Sequence, residues 1–289
     1  MIREKRIPAT RVTGKWMFPR KLIDEWIESD AGSGLRQAMP KVQRAEEVLL
    51  TSGSSDPLAQ LLLSHMRNTH PEIRFFVAST SSVEALRDLD MGYTDIVWSH
   101  LFDPESGEYN IPFLSTYLPD IEPVVINICY QDLGFLTTVG NPLGIKRFQD
   151  LPSKGMRFVN RQKGSGTREF TDHQLVRCNI DPAAIEGYDH EVFTHIEVGL
   201  SIRLGESDVG ITTSSVAKLL GLSFLPVSRA RFDMILEQSS FFHGGVQALM
   251  EVLRSDSFRG SVGKLGYDLK DSGKILWAPQ RRSAVLRRS

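Results

Sequence analysis

The chain has 289 residues, 41% hydrophobic and 24% charged, which suits a globular protein of about two fold units and excludes global disorder or a collagen-like repeat. Thirty-four Lys and Arg against 35 Asp and Glu give a net charge of −1, so the whole chain is no polyelectrolyte. Cys129 and Cys178 lie far apart and outside any CxxC pattern, which excludes a disulfide scaffold and suits a reducing compartment. No run approaches the roughly 18 apolar residues needed to span a bilayer. Residues 1–22 are basic but lack the apolar core and small-residue cleavage site of a secretory leader. The expectation is a cytoplasmic protein with no membrane partner.

In chain order, Ile7 to Val12 alternates, turns at Thr13-Gly14-Lys15 and resumes at Trp16-Met17-Phe18, which predicts a β-hairpin. Pro19 then opens a helix over residues 20–28, with Leu22, Ile23, Trp26 and Ile27 on one face. The segment is basic: Arg3, Lys5, Arg6, Arg11, Lys15, Arg20 and Lys21 face only Glu4. The run Arg3 to Ala9, with Phe18-Pro19 and Asp24-Glu25-Trp26, resembles the excisionase-type winged helix-turn-helix of bacterial DNA-binding regulators. The resemblance implies a partial domain over residues 1–30, wing hairpin and helix, with Arg6, Arg11 and Lys15 as DNA contacts. In that family two helices precede the hairpin, and Met1 falls near where the second would end. Residues 31–44, opening with Ala31-Gly32-Ser33-Gly34, have linker composition.

The main body alternates strands and helices. Val48 to Thr51 reads as a buried strand, Gly53 to Pro57 as a turn, and Leu58 to Met66 as a helix with Leu at helical spacing. Arg74 to Ala78 is a second strand, Thr80-Ser81-Ser82 caps a helix over Val83 to Met91, and Ile96 to Trp98 is a third strand. The pattern recurs: strand Met156 to Asn160, turn Gly164-Ser165-Gly166-Thr167, helix Arg168 to Arg177, helix Glu197 to Leu204, strand Val209 to Ile211. Ser54 and Asp95 are 41 positions apart, and Ser165 and Asp208 are 43, so two similar α/β lobes are expected. The strand-rich stretches Pro123 to Thr137 and Phe224 to Glu237 sit where the chain passes between lobes. Helices over 242–253 and 258–265 return to the first. The fold expected is α/β, a two-lobed clamshell with a hinge and a cleft at the carboxyl ends of the strands. Its first lobe takes residues 45–133 and 232–272, its second 134–231, and residues 273–289 form a basic tail.

Helix N-termini present free N–H groups and partial positive charge, and Gly and Ser before them let an anion approach closely. Ser54-Ser55, Ser81-Ser82 and Gly164-Ser165-Gly166-Thr167 are such turns, with Arg168 one residue further and Arg161 and Lys163 as other cations. The same residues also read as plain N-caps. Asp56 either opposes an anion or caps its own helix. Asn160 to Arg168, with Leu101 to Asn110, Gly140-Asn141-Pro142 and Gly205 to Gly210, resembles the type II periplasmic-binding-protein-like domain of bacterial molybdate and tungstate regulators. The likeness covers about Val48 to Tyr267. It implies that Ser54, Ser55, Ser81, Ser82, Ser165, Gly166, Thr167 and Arg168 hold a small oxyanion, molybdate or tungstate, in the cleft of a homodimeric transcriptional regulator. An organic ligand such as a pterin-like precursor, with no DNA binding by this chain, is the alternative. It would call for aromatic residues on the cleft, although Trp98, Phe102 and Tyr130 read better as core. No HExxH, paired His/Cys pattern, GxSxG elbow, complete phosphate loop or dinucleotide fingerprint is present, so no catalytic residue, metal or cofactor is expected.

Overall fold

A computed structural model of the chain describes residues 10–12, 15–17, 48–153 and 155–279. Two compact units divide it, Met1–Ala45 and Glu46–Ser289. In the first unit, strand β1 (Thr10–Val12) pairs antiparallel with β2 (Lys15–Met17), Arg11 opposite Trp16 and Val12 opposite Lys15. The expected hairpin is therefore present in its two strands. Arg6, the helix expected over 20–28 and the linker lie outside the described residues.

The second unit is built on strand–turn–helix steps, and its caps explain where each helix starts. After β3 (Val48–Gly53) the Asp56 carboxylate accepts from the Leu58 amide at 2.8 Å, and Pro57 fills the first position of α1 (Pro57–Thr69). Leu58, Leu62, Leu63 and Met66 form its buried stripe. Strand β4 (Arg74–Ser79) leads to α2 (Ser82–Asp90), where Ser81 and Glu84 complete a capping box. Strand β5 (Ile96–Ser99) and the short α3 (Leu114–Tyr117) follow.

Two 15-residue strands, β6 (Pro123–Thr137) and β10 (Ser223–Glu237), then run antiparallel along their whole length. At about 3.3 Å per residue each reaches about 50 Å, long enough to belong to both lobes. Between them in sequence lie β7 (Phe158–Arg161), α4 (Gly166–Arg177), β8 (Glu191–Val192), α5 (His195–Arg203), β9 (Val209–Thr213) and α6 (Ser214–Leu220). The sheet order is β4-β3-β5-β10-β6-β9-β7-β8. The pairs β3–β4, β3–β5, β7–β9 and β7–β8 are parallel, whereas β10 is antiparallel to β5 and β6 to β9.

Apolar packing marks the two lobes. Ile126, Ile128 and Cys129 of β6 and Phe232, Met234 and Leu236 of β10 join one core with Leu49, Leu58 and Met66. Leu133 and Phe135 of β6 and Ala230 of β10 join another with Phe148, Phe158 and Phe170. The β6–β10 register shifts between Phe232 and Asp233, at the changeover, and between Pro226 and Ser228, where a proline cannot donate to the ladder. After β10, α7 (Gly244–Arg254) and α8 (Asp256–Gly263) return to the first core through Leu249, Leu253, Phe258 and Val262. Residues 275–277, expected at the start of a basic tail, instead form β11 (Ile275–Trp277), which pairs with β6 and widens the first lobe's sheet. Among the described residues no helix is long and apolar enough to cross a membrane.

Candidate functional site

The end of β5 and the N-termini of α1, α2, α4 and α5 meet along one seam between the lobes. The lobes are closed on each other there. The Val83 amide of the first lobe donates to the Gly164 carbonyl of the second at 3.4 Å. His100 Nε2, just past β5, lies 3.3 Å from Thr167 Oγ1 at the start of α4. The His100 and His195 rings are 5.4 Å apart across the seam. Gly166 makes this closeness available, because a Cβ there would stand 2.2 Å from the His100 carbonyl oxygen.

The predicted residues divide into those spent on local structure and those left open. Ser81 Oγ accepts from the Glu84 amide and Ser165 Oγ from the Arg168 amide, both at 3.1 Å, so each works as a cap. Ser82 Oγ lies 3.5 Å from the His100 amide. Ser54 and Ser55, by contrast, have buried hydroxyls with no partner among the described residues. Asp56 is fully buried and turned to its own lobe, accepting from Leu58, Gln131 and Tyr267 at 2.8 Å each. Arg168 is buried too, but its guanidinium is held within the second lobe. Its Nε donates to Asp172 at 2.9 Å and its NH1 to Glu191 at 2.7 Å, and it lies 4.5 Å from the centre of the Tyr188 ring.

Arg161, at the end of β7, is the cation left with an open valence. It is 1% exposed, its NH2 donates to the Phe193 carbonyl at 2.8 Å and its Nε to Gln162 Oε1 at 3.3 Å. Its NH1 is buried without a partner among the described residues. Lys163, the other cationic candidate, is exposed. Sequence reasoning missed His100, Gln131, Gln162 and His195 as site residues. Each is buried with one side-chain atom unpaired: His100 Nδ1, Gln131 Oε1, Gln162 Nε2 and His195 Nε2. A signal existed for two of them, since His100 follows a buried strand at its carboxyl end and Gln162 lies inside the Asn160-to-Arg168 motif.

One positive charge dominates the seam. Burial lowers the Arg161 pKa to about 10, against the support of Glu197 and Asp56, so it stays charged at neutral pH. Burial, then the Arg161 charge, lowers His100 to about 3. The same two causes, with His100 added, push His195 well below its ordinary value. Both imidazoles are therefore neutral. Burial raises Asp56, opposed by its hydrogen bonds to Gln131, Leu58 and Tyr267 and by Arg161. Arg161 is thus electrostatically coupled to Asp56, His100 and His195. Among the described residues no three His, Cys, Asp or Glu side chains gather as a metal site would require. Trp98 stacks on Phe232 at 6.4 Å.

Comparison with known proteins gives the same architecture. Residues 63–254 match the family model described as a PBP superfamily domain. The uncharacterized protein YvgK of Bacillus subtilis (strain 168) is 30% identical over 286 residues, 96% of this chain and 91% of its own. A protein of Clostridium perfringens described as a phosphate ABC transporter substrate-binding protein, solved with bound phosphate, aligns with a TM-score of 0.58. It is 12% identical and covers 76% of this chain and 98% of its own. The tungstate ABC transporter structure from Geobacter sulfurreducens aligns with a TM-score of 0.54 at 17% identity, covering 76% of this chain and 100% of its own. At such identities the two structural likenesses are likenesses of fold.

Proposed function

The chain belongs to the PBP superfamily, and on that premise we propose that its second unit is a non-catalytic receptor that closes its two lobes on a small oxyanion. The observation that carries this reading is Arg161 NH1, a buried charged donor without a partner. An unpaired charge out of water is costly, so the missing partner is supplied from outside the chain. The orphaned Ser54 and Ser55 hydroxyls at the start of α1 add neutral donors. Molybdate and tungstate are the ligands the sequence resemblance implies; the Geobacter sulfurreducens neighbour is described for tungstate, and the Clostridium perfringens one adds phosphate to that set. A pterin-like ligand would want an aromatic face on the seam, and Trp98 is stacked on Phe232 instead.

A thermal-shift and calorimetry series with molybdate, tungstate, sulfate and phosphate tests the reading. At a hundred times its Kd, a ligand that binds only the folded state adds about 2.7 kcal/mol. For a unit of this size, at about 2–4 °C per kcal/mol, that raises the midpoint by roughly 5–11 °C. No shift and no heat with any oxyanion would remove the ligand from the proposal.

In its fuller form the reading makes the chain a cytoplasmic, homodimeric regulator whose first unit contacts DNA. What supports this is the β1–β2 hairpin, which has Arg11 and Lys15 on paired strands, where the sequence resemblance expects a wing. Arg6 belongs to the same basic run, outside the described residues. Titration of a labelled duplex at several salt concentrations tests it. Removing Arg11 or Lys15 is expected to weaken binding for all sequences and to reduce the salt slope by about one each. Absence of binding by the unaltered chain at low salt would take DNA out of the reading.

A further inference from the structure

We propose that the outer edge of β4 is the surface on which a second copy of this chain docks, strand against antiparallel strand, about a twofold axis. This gives the homodimer of the reading above its contact surface, and it rests on that part of the reading whatever the cleft binds.

β4 stands at the end of the sheet order, and among the described residues no strand pairs with its outer side. It is exposed along almost its whole length, with Phe76 58% and Val77 42% exposed. The run Arg74-Phe75-Phe76-Val77-Ala78-Ser79 has no proline and a single charge, at its first position. Its register with β3 runs without a shift. Edge strands are ordinarily blunted by inward or central charges, proline or a bulge, because a bare edge is a template for another chain. Beyond Arg74, β4 has none of these devices.

The backbone shows which groups are free and what fits them. The Thr80 amide donates to the Gly53 carbonyl at 3.0 Å, and the Leu50 carbonyl accepts from the Asp95 amide on the other side of β3 at 2.8 Å. Backbone groups alternate in direction along a strand, so Arg74, Phe76 and Ala78 turn theirs to β3, while Phe75, Val77 and Ser79 turn theirs outward. A twofold axis perpendicular to the sheet, beside Val77, matches them all. Val77 then exchanges both hydrogen bonds with Val77 of the second copy, and Phe75 does so with its Ser79. Every outward N–H of one strand meets an outward carbonyl of the other.

The side chains fit the same register. Between the hydrogen-bonded pairs the strands approach most closely, and there Phe76 faces Ala78 of the second copy, a large residue against a small one. Arg74 faces Thr80, so the two guanidiniums stand at opposite ends of the ribbon, about 20 Å apart. A parallel pairing would bring these like charges side by side. A contact of this isologous kind closes at two copies.

The test is sedimentation velocity on the whole chain over a concentration series, repeated on Val77→Pro and on Phe76→Lys. The lone chain tolerates both, since the Val77 N–H has no partner in β3 and Phe76 is already exposed. In the pair, proline removes the central hydrogen bonds, and lysine sets two like charges diagonally within about 7–8 Å. The expected result is a dimer for the unaltered chain and at least tenfold weaker dimerisation in each variant. Crosslinking reads the register independently, in a Cys178→Ser background that leaves only the buried Cys129. Chains with Phe76→Cys mixed with chains with Ala78→Cys should form an oxidised crosslink that neither forms alone, because like positions lie beyond disulfide reach. A monomer at every concentration overturns the inference and the homodimer together, and leaves the ligand receptor standing. A dimer that survives both substitutions and gives no mixed crosslink overturns the inference and leaves a homodimer built on another surface. The crosslink decides even if the proline or lysine variant does not fold.

Discussion

Gly166→Ala is expected to weaken ligand capture by at least 100-fold while leaving the unliganded chain as stable as before. The added methyl would lie 2.2 Å from the His100 carbonyl oxygen and 2.8 Å from its carbon, backbone atoms of the opposite lobe. Backbone cannot rotate aside as a side chain can, so the lobes must part by an ångström or more. Parting them breaks the His100–Thr167 and Val83–Gly164 contacts and rehydrates the seam. Within α4 the change is favourable, since alanine is the better helix former by about 1 kcal/mol and Gly166 already has helical backbone. The effect thus falls on closure alone, and apparent affinity drops with the fraction of molecules able to close. Calorimetry with the best-binding oxyanion, beside a melting curve without ligand, checks both halves. Full affinity in this variant would mean that the closed seam is not the binding state.

Arg161→Met is expected to have the second large effect, with opposite signs in affinity and stability. Methionine fills similar volume without the charge, and removing one partner of a desolvated charged contact costs about 2–5 kcal/mol of binding. That is roughly 30-fold to several thousand-fold in Kd. Without ligand, the same substitution relieves a buried guanidinium whose NH1 has no partner, so the melting temperature should hold or rise. A drop in affinity with a matching drop in stability would instead mark Arg161 as a structural residue.

Much of the scaffold is legible in the sequence because it is written in local signals. β6 reads as Pro123 to Thr137 and ends there in the structure. Asp56, Ser81 and Ser165 announce the starts of α1, α2 and α4 because cap chemistry acts over three residues. What was hidden depends on distant partners. Arg161 and Arg168 stand in one motif, and composition cannot rank them. Glu191 of β8 helps hold Arg168 in the second lobe, while the lobes close over Arg161. The two histidines face each other only because α5 and the end of β5 meet across the seam. Short elements escaped for a related reason. The three residues of β11 and the seven of α6 carry too little periodicity to stand out without the neighbours they pack on.

The continuity of β6 and β10 through both cores also fixes an order of maturation on the ribosome. The first lobe is begun first, with β3, α1, β4, α2 and β5, yet the strand that covers the free edge of β5 is β10, and α7 and α8, which share a core with Leu58, Leu62 and Met66, come after that. The second lobe occupies an unbroken stretch of chain between the two crossings, so it can finish while the first still has a bare sheet edge and uncovered leucines. Such edges and faces invite pairing between nascent chains. Synthesis from Ser223 to Gly263 is therefore the interval in which the first lobe gains its missing cover, and a pause there leaves the oldest part of the chain the most prone to aggregate.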